Sequence, residues 1–523
     1  MKKYYPFLII IVFFALSSKV IPQNLSEGIK LLKNESYQNA IATFRSYISH
    51  NQTKGDGYFY LGKTYFKLDN ADSAKICFQK GTEFAKDYAL NYVGLGGIAL
   101  AKEDTNTAIS DFNKAIDITG DDPAIYVNIA DIYLISHYQP ANRANDFLNQ
   151  AIVLDKHNTA AYIKKGDIYL ALNNGTQAIA NYQNAINYDS SQVDAYIGLG
   201  NVYTAVRNYQ EAELYYKMAE KRNPDYSVTY RYLADLYTIT KENDKALEAY
   251  KKYTSLSESS INNLKKLSIL LYNSGQFKEC ADVIKGILQI EKEDTPLLHL
   301  LAFTYSQLED TANGIAAFQQ YMKDVNKKDI SVTDYELLSK LYEKENQDSL
   351  AIEALKNAFS IDSTRMDLLN TIKMINFKDR NWPGVISALK MKESVQALNA
   401  QDYFDLGKAY YFNKDYGLAD TAFLQLVKMK PDLPIGYRWV AAAKANLDPD
   451  SEQGLAKEDY EKFISLAQND STKYRTELIE AYSYLGYYYF IKKDMENSKL
   501  YWQKVYALDP TNPQAIEAIK KIK

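Results

Sequence analysis

The segment Gly198-Leu-Gly-Asn-Val-Tyr203 decides the fold, because its pattern returns at a fixed spacing along the chain. Two clear copies are Tyr60-Leu-Gly-Lys-Thr-Tyr65 and Asp405-Leu-Gly-Lys-Ala-Tyr410. A residue aligned with Gly200 opens fourteen successive units, and ten of the thirteen spacings between these residues are 34. A chain of 523 residues with this self-similarity is predicted to be one repeat array and not three or four globular domains. The fourteen residues are Gly28, Gly62, Gly96, Ala130, Gly166, Gly200, Ala234, Ser268, Ala302, Ser339, Lys373, Gly407, Ala441 and Gly486.

Each unit carries two segments with helical spacing. Tyr follows three residues after the opening position in nine units. The second segment of each unit has a small residue followed four positions later by a bulky apolar residue, as in Ala40 and Phe44 or Ala178 and Tyr182. In one unit the larger Val385 takes the place of the small residue. Residues three and four apart share one helical face, so small residues allow close helix approach and aromatic rings fill the space between neighbours. The pattern therefore predicts one helical hairpin per unit.

The arrangement resembles the tetratricopeptide repeat (TPR) family, whose 34-residue helix pair places Leu-Gly, Tyr, Ala and Phe at these offsets. The resemblance covers residues 24 to about 510. It implies an all-α fold, an α-solenoid of about fourteen TPR helical hairpins that forms a right-handed superhelix. Departures from the pattern concentrate at Lys373, Asn376 and Val385, next to Trp382-Pro383.

We expect five segments along the chain. Residues 1–23 form a signal peptide, residues 24–325 hold TPR units one to nine, and residues 326–395 hold degenerate TPR units that are a candidate hinge. Residues 396–512 form the C-terminal TPR units, and residues 513–523 form a helix that caps the last repeat.

The N-terminus predicts export. Lys2 and Lys3 precede an apolar run over residues 4–16, and small residues follow. This order is typical of a signal peptide, with cleavage expected between residues 17 and 23. The run is shorter than the roughly 20 residues that span a membrane, so an inner-membrane signal anchor is the first alternative and a buried first helix the second. No cysteine lies near the cleavage region, so no lipid anchor is expected.

Composition and charge exclude several classes of protein. Hydrophobic residues make up 46% and charged residues 24% of the chain, which excludes a disordered or collagen-like chain. The net charge is −4, and Lys and Arg are scattered along the sequence, so nucleic acid is not an expected partner.

The sequence predicts no catalytic, cofactor or metal site. Gly94-Leu-Gly-Gly-Ile-Ala99 matches a dinucleotide-binding fingerprint, but it lies inside a predicted repeat helix and not between a strand and a helix. The four histidines are dispersed, without an i, i+4 pair that could hold zinc. Cys77 and Cys280 lie several repeats apart, so we expect two buried, unpaired thiols.

The resemblance also predicts a binding surface. In TPR proteins with known ligands, first-helix residues at the second, fifth, ninth and twelfth repeat positions line the inner groove. In the second to fifth units these positions form an apolar stripe, which we interpret as a groove for a helix or an extended peptide, or alternatively as side chains packed against the adjacent helix. Three aspartates share the ninth position, which favours a partner bearing Lys or Arg, or alternatively forms a solvated acidic face. The candidate groove residues are Phe59, Phe66, Val93, Leu100, Val127, Asp131, Leu134, Ile163, Asp167, Leu170 and Asp235.

The predicted function is that of a non-catalytic scaffold or adaptor, periplasmic, envelope-bound or secreted, that binds protein or peptide partners through its concave face. An assembly factor for an outer-membrane secretion or surface polysaccharide machine is the alternative, and an enzyme is the third hypothesis.

Overall fold

The computed structural model describes residues 24–138 and 142–522. The predicted signal peptide at residues 1–23 therefore lies outside the described residues. The chain divides into two compact units between Leu308 and Glu309, which we call unit 1 and unit 2. Within the described ranges the secondary structure is helical, without a strand. None of the helices in these ranges is both long enough and apolar enough to cross a membrane.

The described part of unit 1 contains seventeen α-helices. They are α1 (Leu25–Lys33), α2 (Tyr37–His50), α3 (Gly55–Lys67), α4 (Ala71–Phe84), α5 (Leu90–Ala101), α6 (Thr105–Thr119), α7 (Pro123–Ile135), α8 (Asn142–Leu154), α9 (Thr159–Ala171), α10 (Gly175–Tyr188), α11 (Val193–Ala205), α12 (Tyr209–Arg222), α13 (Ser227–Ile239), α14 (Asn243–Leu256), α15 (Ile261–Asn273), α16 (Phe277–Leu288) and α17 (Thr295–Gln307).

The described part of unit 2 contains twelve α-helices and two short 3₁₀ turns, at Lys327–Asp329 and Gln468–Asp470. The helices are α18 (Thr311–Asp324), α19 (Val332–Lys344), α20 (Asp348–Ile361), α21 (Met366–Lys378), α22 (Trp382–Val395), α23 (Ala400–Phe412), α24 (Tyr416–Met429), α25 (Pro434–Leu447), α26 (Lys457–Ala467), α27 (Arg475–Ile491), α28 (Met495–Leu508) and α29 (Pro513–Lys521).

Consecutive helices pack as hairpins, which confirms the predicted all-helical solenoid. Unit 1 holds eight hairpins, from α1 and α2 to α15 and α16, followed by α17. Unit 2 begins with α18, continues with five hairpins from α19 and α20 to α27 and α28, and ends with α29. By sequence register α17 and α18 are the two helices of the ninth repeat. Helix α29 packs on α28 and buries Ala515.

In several hairpins the turn follows from two polar residues. Asp69 ends α3 in the left-handed region, with φ at 56°, and Asn70 then caps α4 by accepting a 3.0 Å hydrogen bond from the N–H of Ser73. Asn173 and Asn174 do the same between α9 and α10. Short polar side chains tolerate the left-handed conformation and satisfy free N–H groups at a helix start, so this local sequence fixes the hairpin.

The core consists of aromatic rings held between small residues of neighbouring helices. Tyr182 of α10 is fully buried, and a Cβ atom added at Gly166 or Gly198 would lie within 2.4 Å of its ring. Gly62 meets the ring of Phe78 in the same way. The predicted pairing of small and bulky positions is therefore the packing that joins the two helices of a repeat and, through Gly198, the next repeat.

Candidate functional site

The first helices of the repeats form one continuous surface of unit 1, which we call its inner face. Helices α3, α5, α7, α9, α11 and α13 contact one another in sequence. Lys63 of α3 reaches past α5 to Asp131 of α7, with 2.7 Å between Nζ and Oδ2. A direct ion pair between helices two repeats apart requires the row to curve inward, so this face is concave. Helix α7 can approach α5 closely because residue 97 is a glycine. A Cβ atom at Gly97 would lie 2.2 Å from the side chain of Ile132.

The structure places most apolar candidate residues of this face in the core. Phe59, Phe66, Val93, Leu100 and Ile163 are at most 7% exposed. These five side chains are therefore packed inside the protein and do not line an open groove. Of the two arrangements that the sequence allowed, the structure shows packing against the adjacent helix. The three other apolar candidates are half-buried and line the inner face, namely Val127, Leu134 and Leu170.

The three candidate aspartates are neutralised by lysines of the same chain. Asp131 is held by Lys63 and by Lys164, whose Nζ lies 2.9 Å from Oδ1. Asp167 lies 3.3 Å from Lys164, and Asp235 pairs with Lys266. The sequence suggested a row of carboxylates for a basic partner or for solvent. The structure shows internal ion pairs, which leave little net attraction for a basic partner.

The environment of this cluster keeps its central pair charged. Burial raises the pKa of Asp131, but the ammonium groups of Lys164 and Lys63 outweigh it and hold the pKa far below its usual range. Burial alone would lower the pKa of Lys164. The carboxylates of Asp131 and Asp167 outweigh this effect, so the pKa of Lys164 is raised. Both groups therefore remain ionised at neutral pH, and on acidification their pairing is lost as pH falls through the lowered pKa of Asp131.

Lys67 is an unpaired cation of this region. It lies one helical turn after Lys63, its side chain is exposed, and within the described residues it has no hydrogen bond or ion pair. Desolvation by the surrounding protein lowers the pKa of Lys67, although the carboxylate of Asp131 acts in the opposite direction. The inner face of unit 1 thus presents an unpaired cation, where the sequence had drawn attention to carboxylates.

Unit 1 also closes on itself, through what we call the closing contact. The turn of the first hairpin meets the seventh repeat, where Asn34 accepts a 3.0 Å hydrogen bond from the N–H of Ser227. Both oxygens of Glu35 accept hydrogen bonds from the guanidinium of Arg231 at 3.0 Å, and Tyr253 donates a third to Glu35 at 3.0 Å. These residues are about 200 positions apart in sequence, so the curvature of seven repeats brings them together.

Replacing Glu35 with Ala is expected to loosen the closing contact by about 1 to 2 kcal/mol, since charged hydrogen bonds contribute about that much when they are partly exposed. Faster amide hydrogen exchange should appear in α1, α2, α13 and α14 and not in unit 2, as measured by mass spectrometry. Glu103→Ala is the matched control, because Glu103 occupies the same left-handed turn position and is exposed. Equal exchange in both variants would show that the contact does not hold unit 1 closed.

Unit 2 carries a surface that the sequence analysis did not identify. A chain of ring contacts runs from Phe377 to Trp382 at 5.7 Å, from Trp382 to Phe412 at 4.9 Å and from Phe412 to Trp439 at 6.1 Å. Phe404 and Tyr411 lie 6.4 and 5.2 Å from Trp439. Phe412 remains 45% exposed. We call these six residues the aromatic strip.

The signal for the strip was present in the sequence. The repeat positions used for the second to fifth units also select Phe404, Lys408 and Tyr411 in the repeat of Asp405-Leu-Gly-Lys-Ala-Tyr410. They select Phe377 and the 67% exposed Met374 in the repeat before it. Extending the same rule past the fifth unit would have found these residues, whereas Trp382 and Trp439 lie at other positions.

The repeat formed by α21 and α22, which we call the degenerate unit, contains buried charged residues in place of part of the aromatic packing. Lys373 stands where most units have a small residue, and its Nζ lies 2.7 Å from Asp405 of the next repeat. Lys392, 5% exposed, lies 2.9 Å from Asp402. Asn376, where other units have Tyr, accepts a 2.7 Å hydrogen bond from Asn381. Carboxylates of the following repeat therefore compensate the unusual lysines.

Other candidate chemistry is structural in the described part of the chain. The glycines of the fingerprint-like segment lie inside α5, where Gly94 packs on Phe78 and Gly96 on Phe112. Cys77 and Cys280 are free and buried, and burial raises the pKa of Cys77 to about 11. No group of three or more His, Cys, Asp or Glu side chains that could hold a metal occurs among the described residues.

Known proteins with similar sequence or structure contain tetratricopeptide repeats. A tetratricopeptide repeat model matches residues 56–88, 193–226 and 402–433, and a TPR repeat model matches residues 166–206. The crystal structure of the C-terminal part of a TPR repeat-containing protein from Cytophaga hutchinsonii is 32% identical, over 49% of this chain and 98% of that one, with a TM-score of 0.36. This chain belongs to the tetratricopeptide repeat family.

Two further TPR structures are similar to parts of it. A tetratricopeptide repeat protein from Parabacteroides merdae is 16% identical over 48% of this chain and 98% of that one, with a TM-score of 0.30. YrrB, a TPR protein with an unusual peptide-binding site, is 20% identical over 36% of this chain and 95% of that one, with a TM-score of 0.23. A comparison with curated proteins gave no match. The TPR fold is in general a non-catalytic scaffold for protein interaction.

Proposed function

We propose that this TPR chain is a non-catalytic scaffold or adaptor of the periplasm or cell envelope, and that it binds a protein or peptide segment on the inner faces of its repeats. The observation that carries the proposal is the aromatic strip of unit 2. Contiguous apolar surface is costly in water and marks a contact site, and aromatic residues are enriched in protein interfaces.

The strip has the form of a recognition surface. Its rings are contributed by the four helices α21, α22, α23 and α25, and they contact each other edge to face or stacked. Neighbouring rings restrain Phe412 before any partner arrives, which reduces the ordering cost of binding. The half-exposed Phe412 and the exposed Met374 then offer apolar area to a partner side chain.

The inner face of unit 1 is a second, separate surface that we propose for binding. Its contribution is polar, because its phenylalanines are buried and Lys67 is exposed. Val127, Leu134 and Leu170 supply half-buried apolar area between the charged groups. We therefore propose polar contacts in unit 1 and aromatic contacts in unit 2.

The envelope location rests on the sequence of residues 1–23. Two lysines followed by an apolar run and small residues support export to the periplasm or medium, with a signal anchor as the other form. Fractionation of the native cell would test this part independently. Finding the chain in the cytoplasmic fraction would overturn the location and leave the binding proposal standing.

A photo-crosslinking residue placed at Phe412 and, in a second variant, at Val127 tests the binding proposal. We expect covalent adducts with a protein at both positions, because Phe412 is the exposed ring of the aromatic strip and Val127 lies on the inner face of unit 1. The control position is Leu418, a 52% exposed apolar residue on the second helix α24 of the strip's own repeat. Equal labelling at Leu418, or no adduct at the inner-face positions, would contradict binding on the inner faces.

A further inference from the structure

An unpaired cation lies against one ring of the aromatic strip. Lys408 lies on α23 one turn before Phe412, and its Nζ is 5.5 Å from the ring centroid of Phe404. Its side chain is half-buried, and within the described residues no carboxylate pairs with it. An ammonium group over an aromatic face is partly desolvated, so it gains more from an incoming carboxylate than a fully hydrated lysine would.

Two carboxylates that border the strip, Asp405 and Glu480, are already engaged. Asp405 accepts from Lys373 at 2.7 Å and from Gln401 at 2.9 Å. Glu480 is bound by Arg438 at 2.5 Å and by the hydroxyl of Tyr460 at 2.9 Å. Because Asp405 and Glu480 are compensated and Lys408 is not, Lys408 provides an unpaired positive charge against a ring of the strip.

We propose that the strip binds an amphipathic α-helix of a partner protein, with apolar residues against Phe412 and Trp439 and an Asp or Glu at Lys408. This inference rests on the proposed function and adds the chemistry of the partner. Apolar burial supplies affinity, while the charge at Lys408 selects acidic helices over basic ones. The sign is opposite to that of the basic partner expected from Asp131, Asp167 and Asp235.

Two synthetic helical peptides test the selection. Each has about 18 residues, or about 27 Å of helix, and the same leucine positions, and the polar face carries Glu in one peptide and Lys in the other. Fluorescence anisotropy of labelled peptide should give a Kd about tenfold lower for the Glu peptide with the full chain. Lys408→Gln should remove most of this difference, and Lys408→Glu should reverse it.

Lys428→Glu is the matched control, because it makes the same change of charge at an exposed residue on α24 of the same repeat. It should leave the preference unchanged. Circular dichroism and Trp emission establish that each variant is folded. Phe412→Ser should weaken both peptides, since it removes apolar contact area common to them.

Three results would overturn the inference. Equal affinity of the two peptides, with loss of both in Phe412→Ser, would leave the strip as a binding surface and refute acid selection. Tight binding that Phe412→Ser does not change would place the peptide elsewhere, and the crosslinking experiment would then decide the proposed function alone. A wild-type dimer that Phe412→Ser converts to a monomer in sedimentation would identify a second copy of the chain as the occupant.

Discussion

Replacing Lys392 with Met is expected to destabilise unit 2 by about 3 to 5 kcal/mol, because it removes one partner of a buried ion pair. The ammonium of Lys392 lies 2.9 Å from Asp402 and 3.1 Å from the side-chain oxygen of Asn370. The side chain of Asp402 is 3% exposed, and Lys373, its other charged neighbour, is 4.0 Å away. All three tryptophans lie in unit 2, so the shift of the denaturation midpoint can be followed by their emission.

Two further variants sharpen this experiment. Lys390→Met changes a lysine of the same helix that is 52% exposed and pairs with Glu393, so its effect should stay within about 0.5 kcal/mol. Adding Asp402→Asn to Lys392→Met removes the orphaned charge and keeps an oxygen for the N–H of Asn399, so the double variant should be more stable than Lys392→Met alone. Unchanged stability of Lys392→Met, or additive losses in the double variant, would contradict a coupled buried pair.

The repeat hairpins could be predicted from the sequence because their determinants are local. The opening glycine and the aromatic ring that covers it lie sixteen residues apart, as in Gly62 and Phe78, and the turn between them is set by Asp69 and Asn70. Each unit repeats these interactions, so an error in one unit does not change the interpretation of the rest. Whether Phe59 and Val93 are buried could not be predicted in this way. Their burial depends on how closely neighbouring helices approach, and the position of a residue within its repeat does not determine that distance.

The charge pattern of the inner face could not be predicted, because it depends on curvature. Lys63 and Asp131 are two repeats apart, and Glu35 and Arg231 are six repeats apart. Small rotations between successive repeats accumulate over such distances, and no local pattern encodes their sum. The aspartates therefore looked like an available acidic row, although lysines from other repeats reach them.

The degenerate unit illustrates the opposite case, where a departure from the pattern carried information. Lys373 breaks the series of small residues and lies in the segment that the sequence analysis named as a candidate hinge. The structure pairs it with Asp405 of the next repeat, so the substitution is compensated across the repeat boundary. Whether this unit acts as a hinge stays a prediction.

Gly200→Leu is expected to destabilise α11 and α12 by about 1 to 3 kcal/mol or more, because it overfills a close helix contact. A Cβ atom at Gly200 would lie 2.3 Å from Cε1 of Tyr216, whose ring is 1% exposed and stacks on Tyr232 at 5.8 Å. The hydroxyl of Tyr216 also donates to Asn201 at 2.7 Å, so the ring cannot move without losing that bond. Hydrogen exchange should increase in α11 and α12, and the melting temperature should fall.

Gly286→Leu provides the matched control for this prediction. Gly286 lies inside α16 of the same unit, is exposed, and has no atom within 4 Å of an added Cβ. Leucine has a higher helix propensity than glycine by up to about 1 kcal/mol, so this variant should melt at or above the wild-type temperature. All three tryptophans lie in unit 2, and both substitutions are in unit 1. Trp emission therefore reports on unit 2 alone and should stay unchanged in both variants. If Gly200→Leu melts like Gly286→Leu, the contact between Gly200 and Tyr216 is not close enough to join the two helices of a repeat.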